Sequence, residues 1–445
     1  MQKNIGISFF STVAAVSFVA VVWGANPSSA HAPFAKQNNK ITPSHSVSSH
    51  RGILIAGSDA ALDVDANGVQ LGVHELYLRA KSFHDGKDAE GREVKRDYGI
   101  AAKLYKLAAD RGSALAQTAL GRMYQLGTGM ATNNIEAARL YGLAVVQNHV
   151  PAQAHLAYLY EVGAGVEKDL SKAITLYSKA ADKGDIKALN NLGYLNQHGI
   201  GMDKNSAEAA RLYNVAAKMG DKIAQTNLGN MYRIGEGVPQ APGVAAKWYR
   251  LAVEQNHSRA QNNLANLYEL GLGVGQDDGK AAGLYLAASE QGYDVAQQNL
   301  GEMYSQGRGV RQDFDQALIW YSAAAKQGNG IAQFNVGYLH NVGKGTAQNY
   351  VEALKWYQKS AAHTGAQKQK IVRTLTKLAV DNKEYAEASR LYLLVATHGL
   401  KESYFKAAQM LAARRPSEAL HLYKAAEALG DERAQKQIQL LLENH

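Results

Sequence analysis

The chain has 445 residues, a formal net charge of +9, 46% hydrophobic residues and only 7 prolines, so most of it is expected to fold rather than stay disordered. It contains no cysteine, which excludes disulfides, thiolate metal sites and cysteine nucleophiles without choosing a compartment. Tyrosine, at 24 residues, far outnumbers phenylalanine at 8, a bias that points to one position used again and again.

At the N-terminus Lys3 is followed by a mainly apolar run from Ile5 to Trp23, then by small residues around Ala30 and Ala32. The pattern predicts a signal peptide over residues 1–30 and hence a periplasmic or secreted protein. Pro33 disfavours a cut after Ala32, so cleavage is expected after Ala30. The rival reading is an uncleaved anchor, because the run approaches the ~20 residues that span a bilayer. Ser8, Ser11, Thr12 and Ser17 favour export and cleavage, and no membrane span is expected after that. Residues 31–67 are rich in Ser, His, Asn and Gly and read as a flexible linker. Residues 68–97, with the stretch HELYLRAKSF (His74 to Phe83), read as an N-terminal capping helix region.

A repeat then governs the chain. A tyrosine preceded by Leu or Trp stands at Tyr105, Tyr141, Tyr177, Tyr213, Tyr249, Tyr285, Tyr321 and Tyr357, each 36 residues from the last. A Gly-x-Gly keeps the same register, as at Gly127/Gly129, Gly235/Gly237 and Gly343/Gly345. Each unit reads as two helices. In helix A, Ala209, Leu212, Tyr213, Ala216 and Ala217 form one apolar face. Gly220 ends it, and Asn148 and Asn256 stand at that position in two units, which fits a left-handed helix stop. Helix B carries Ala224, Leu228, Gly229, Met231 and Tyr232. The Gly229 position holds only Gly or Ala in every unit, which suggests close approach of two helix backbones. A phosphate loop needs a strand before its glycines and a helix after them. Here a helix precedes them, so the Gly-x-Gly is read as the end of helix B.

The pattern A-x-x-LY-x-x-AA-x-x-G-x-x-x-AQ-x-x-LG-x-MY-x-x-G-x-GV resembles the SEL-one-like repeat (SLR), a relative of the tetratricopeptide repeat (TPR). Trp320-Tyr321 and Trp356-Tyr357 carry the family's WY form, and AQQNLGEMYSQGRGV (Ala296 to Val310) matches almost throughout. The resemblance implies an all-α, right-handed superhelical solenoid of helix-turn-helix repeats, with seven 36-residue units over 98–352. It also implies a non-enzymatic scaffold or adaptor with a protein partner. Exported bacterial relatives include regulators of envelope signalling and parts of exopolysaccharide secretion machinery. Some cysteine-rich relatives have been linked to β-lactam binding, which a chain without cysteine gives no ground to expect.

The array departs from its own pattern in places. LAVVQNHVPAQ (Leu143 to Gln153) parallels LAVEQNHSRAQ (Leu251 to Gln261), which reads either as two matching contact points or as duplication of a three-unit block. Asn196 and His340 replace the helix B tyrosine, while Tyr194 and Tyr338 stand two residues earlier. That substitution either opens a local groove or is a packing variant. After Tyr357 the Gly-x-Gly disappears, and residues 353–445 read as atypical TPR-like repeats and a cap.

Residues 353–445 hold 15 Lys and Arg against 9 Asp and Glu. Lys370, Arg373 and Lys377 fall on one face of an expected helix and are candidate partner-binding residues, for an acidic protein or an anionic polysaccharide. A second candidate set keeps the repeat register: Lys103, Arg139, Arg211, Lys247 and Lys355, each two residues before the marker tyrosine. For both sets a solvated surface is the competing explanation. Nucleic acid is not expected for an exported protein. No His-Glu-x-x-His and no G-x-S-x-G occurs, and His149 and His155 straddle a turn and a helix. No catalytic, cofactor or metal residues are therefore assigned.

Overall fold

The structure is a computed structural model that describes residues 62–64, 69–363, 401–413 and 415–443. The expected signal peptide lies outside the described residues, as do nearly all of the expected linker and the segment 364–400. No described helix is long and apolar enough to cross a membrane.

The described residues form helices and turns, with only isolated bridges at Val64–Gln70 and Lys87–Glu93. The helices are α1 (Val73–Asp85), α2 (Tyr98–Asp110), α3 (Ala114–Leu126), α4 (Asn134–Val146), α5 (Val150–Val162), α6 (Leu170–Ala181), α7 (Ile186–His198), α8 (Ser206–Lys218), α9 (Lys222–Ile234), α10 (Pro242–Glu254), α11 (Ser258–Leu270), α12 (Asp278–Glu290), α13 (Asp294–Gln306), α14 (Phe314–Lys326), α15 (Gly330–Val342), α16 (Tyr350–His363), α17 (Lys401–Leu411), α18 (Pro416–Ala428) and α19 (Glu432–Glu443). Up to α16, even-numbered helices are the expected helices A and odd-numbered ones the helices B. The chain divides into two compact units, one holding residues to Met231 with Gly235–Pro239, the other Tyr232–Ile234 and everything from Gln240.

Side-chain caps start most of the helices up to α15. Asp97, Asn133, Asp169, Asn205, Asp277 and Asp313 each accept a backbone N–H three residues ahead at the start of a helix A. Ser113, Asp185, Asp221 and Asn329 do so for helices B, and each satisfies a donor that the helix cannot. The loop aspartates Asp169, Asp277 and Asp313 are thus helix caps. Each helix A up to α14 ends in a turn with one residue at positive φ, glycine at Gly112, Gly184, Gly220, Gly292 and Gly328 and asparagine at Asn148 (φ 59°) and Asn256 (φ 55°). This is the left-handed stop that the sequence implies.

Both glycines of each Gly-x-Gly lie at positive φ. The first is the left-handed C-cap of helix B. The second lies against the N-terminus of the preceding helix A: a Cβ on Gly165 would overlap the Asn134 carbonyl, and one on Gly309 the Asp278 carbonyl. These turns make the pairing across them the closest. In the first unit α3 packs more extensively on α4 than on α2, and in the second α13 packs more extensively on α14 than on α12.

The marker tyrosines fill the core, with Tyr141, Tyr177, Tyr213, Tyr249 and Tyr285 fully buried. They also explain the small position of helix B, where the close approach read from the sequence is to a ring as well as, at Gly337, to the Ala353 carbonyl of the next helix. A Cβ on Gly121 would stand 2.8 Å from Cε1 of Tyr141, and one on Gly193 2.8 Å from Cε1 of Tyr213. The position is small because the next tyrosine ring lies on it.

Candidate interaction surfaces

The basic row lies on exposed faces of helices A: Lys103, Arg139 and Arg211 in the first unit, Lys247 and Lys355 in the second. Three of the five have a carboxylate partner within the same helix. Arg139 donates through Nε and Nη2 to Glu136 at 2.9 and 2.7 Å. Arg211 does the same to Glu208 at 2.8 and 2.7 Å, and Lys355 reaches Glu352 at 3.1 Å. The hydrogen bonds from Arg139 and Arg211 hold the Glu136 and Glu208 carboxyls below their ordinary range. Where a repeat lacks the cation, Lys172 and Lys280 pair instead with the cap residues Asp169 and Asp277. Much of the positive charge counted along this row is therefore compensated locally. Lys370, Arg373 and Lys377 lie outside the described residues.

The helix B side carries the polar contacts between repeats. The AQ glutamine folds back on the end of its own helix A: Gln117 Nε2 donates to the Ala109 carbonyl at 3.2 Å, and Gln297 Nε2 to the Ser289 carbonyl at 3.1 Å. A glutamine from the following repeat then donates to its free oxygen, Gln147 to Gln117 at 2.9 Å and Gln327 to Gln297 at 2.8 Å. These relays pair buried polar groups that would be costly alone.

A second junction joins the N-cap of one helix B to the helix B before it. Asn190 Nδ2 donates to the cap residue Asp221 at 2.7 Å. Two junctions earlier Thr118 gives its hydroxyl proton to the Ala114 carbonyl at 2.8 Å, and His149 Nδ1 lies 2.8 Å from the same oxygen. The hydroxyl has one proton, so the imidazole is the donor. Burial holds His149 below its ordinary pKa. His155, stacked on Tyr141 at 5.1 Å, is pushed down to about 3, mainly by burial and then by the Lys187 and Arg122 charges.

In the second unit a charged group spans α11 and α13. Arg308, the middle residue of its Gly-x-Gly, binds Glu269 at 2.6 Å, and Glu269 also accepts the Tyr285 hydroxyl at 2.8 Å. Burial pushes the Glu302 carboxyl up, and Gln306 donates to it at 3.0 Å. In the first unit Glu236 holds the equivalent place and accepts from Gln197, Ser206 and Lys204. At Asn196 the side chain is buried and donates to the Leu192 carbonyl at 2.9 Å, while Tyr194 packs on His198 at 4.3 Å, a packing variant. Among the described residues no cluster of three or more metal-ligating side chains is present.

One periodic feature escaped the sequence reading. Asparagine stands at Asn191, Asn227, Asn263, Asn299 and Asn335, again in steps of 36, each half-buried on a helix B. The tyrosine step would have found it. A polar residue on a helix reads as an ordinary solvated position until its neighbours in space are known.

The comparisons agree with this architecture. The family model for the Sel1 repeat matches residues 85–113, 114–149, 150–185, 186–221, 222–257, 258–293, 294–329, 330–364 and 414–431. Most of these matches start at a helix B and run through the next helix A, the pairing that packs most closely. The crystal structure of c5321, a protective antigen present in uropathogenic Escherichia coli strains and displaying an SLR fold, is similar at 26% identity. The match covers 82% of this chain and 79% of that one, with a TM-score of 0.58. A Sel1 repeat protein from Oxalobacter formigenes is 29% identical over 68% of this chain and 86% of its own, with a TM-score of 0.51. No curated protein matches. Tandem repeats with shared caps, shared glycine turns and a tyrosine packed on each small helix B position place this chain in the Sel1 repeat family.

Proposed function

We propose that the chain is a non-enzymatic scaffold that binds protein partners in the bacterial envelope after export. Sel1 and TPR-like repeats generally mediate protein–protein interaction. One observation carries the reading for this chain. The buried rows repeat from unit to unit, whereas one helix B row, partly open except at the buried Tyr194, reads Arg122, Tyr158, Asn230, Asn266, Glu302 and Tyr338 at its other places. The repeated residues hold the array together, and the varied ones make each stretch of surface chemically distinct, as recognition of one partner requires. The apolar N-terminal run supports the envelope assignment.

Affinity capture from envelope extract tests this, with the full chain beside a version ending at His363, at low and high salt. Retention of one protein by both baits at both salts supports the scaffold. Retention of anionic polymer alone, only at low salt and only by the full chain, would replace it with polysaccharide binding through the basic C-terminal region.

A further inference from the structure

Helix α4 of the first unit is apolar on every side. Ala137, Ala138, Leu140, Tyr141 and Ala144 are buried, yet Ile135, Leu143 and Val146 are 72, 42 and 83% exposed on its outer face. A helix that is apolar all round is ordinarily buried all round. The six other helices A from α2 to α14 differ at these outer places. Each has a charged residue at the Val146 position, among them Asp110, Asp182 and Lys218, and only Gly, Ala, Ser or Asp at the Ile135 position. Gly142 shares the outer face, at a place where Lys106, Asn214 and Arg250 stand in other repeats. No described residue lies within 4 Å of a Cβ built on it. Packing among the described residues thus gives no reason for a glycine there, and glycine inside a helix costs stability.

Ile135, Arg139, Gly142 and Val146 follow one another at steps of four, three and four residues, the spacing of a seam between two helices. The spacing is the same in reverse. Turning the helix end for end about the point between Leu140 and Tyr141 exchanges Ile135 with Val146 and Arg139 with Gly142. We propose that this face is a self-association surface, on which a second copy of the chain lays its own α4 antiparallel. Ile135 of each copy meets Val146 of the other, and the Arg139 stem crosses the opposite Gly142, which leaves room for it. Glu136 accepts from both Nε and Nη2 of Arg139, so each guanidinium enters the seam with its own carboxylate. The contact uses helices A alone. The varied helix B row stays open in both copies, and the pair offers a partner two binding surfaces at once. One helix pair buries less than the roughly 800 Å² per partner of a standard interface, so the dimer is expected to be weak, with a dissociation constant on the order of 50 μM.

The test uses the chain from His31 onward, without the apolar N-terminal run, in sedimentation velocity from about 2 to about 200 μM, a range that brackets this constant. The sedimentation coefficient should climb from that of a monomer to that of a dimer. Val146→Lys, which copies Lys218, is expected to weaken association at least roughly tenfold, with an unchanged melting temperature to show that the loss is not unfolding. The chain has no cysteine, so Ile135→Cys and Val146→Cys each place a single thiol on α4. A short bismaleimide should join the two variants when they are mixed and join neither to itself, because like positions lie about 16 Å apart along an antiparallel pair. A monomer at every concentration, a dimer that survives Val146→Lys, or linking within either variant alone as readily as in the mixture overturns the proposal.

Discussion

The ring of Tyr213 occupies the space that a methyl group on Gly193 would need, with Cε1 2.8 Å from the ideal Cβ position. Gly193→Ala is therefore expected to cost ~1–2 kcal/mol, seen as a lower denaturant midpoint with an unchanged slope. Outright unfolding is not expected, because Ala157 and Ala265 stand at this position in other repeats. His155 sets a pH dependence. Its imidazole is buried neutral, with a folded pKa pushed down to about 3 from the ordinary 6.5. As pH falls below about 6.5 the unfolded chain takes up a proton that the folded chain refuses. Stability is then lost at up to ~1.4 kcal/mol per pH unit until the folded group titrates near 3. Acid unfolding of His155→Gln should show a shallower slope across that window, and an unaltered slope would remove His155 as the cause. The sequence marked the tyrosines and glycines because they recur. It did not show what the glycines face, since Gly193 and Tyr213 are on different helices and only the fold brings them together. The carboxylates beside the basic row were legible, as Glu136, Glu208 and Glu352 stand three residues before Arg139, Arg211 and Lys355, the spacing of neighbours on a helix.

At the scale of elements, the turns after helices B and the glutamine relays do separate work. Gly309 combines a φ of +66° with a Cβ position that meets the Asp278 carbonyl. Gly309→Ala should cost more than Gly193→Ala, at least ~2 kcal/mol, because both the left-handed backbone and the carbonyl oppose it. Thermal unfolding of the two variants side by side gives the order. The relay from Gln327 through Gln297 to the Ser289 carbonyl ties three successive helical ends. Gln327→Leu removes one donor and leaves the Gln297 oxygen without it, for an expected loss of ~1–2 kcal/mol; hydrogen exchange at α13 and α14 should rise. Helix positions and their stops were legible, since caps and glycines are local signals. Pairs such as Glu269 with Arg308 were not, because 39 residues separate them and nothing in the repeat pattern requires a charge at either place.

Across the whole molecule, a tandem array draws its stability from each repeat and its junctions with neighbours. Removing an interior repeat should therefore lower the unfolding midpoint by a step rather than abolish folding, provided that the new junction matches. The junction of Thr118 with His149 shows what matching means. Thr226 and His257 hold the same two places 108 residues later, whereas Asn190 is matched with Asp221 between them. A gene that lost the codons for 119–226 by recombination would bring Thr118 into register with His257 and create no foreign seam. Loss of a single 36-residue stretch, 119–154, would set Thr118 against Asp185 instead. Heritable change in the length of this protein is thus easiest in threes, so natural length variants should differ by three repeats more often than by one.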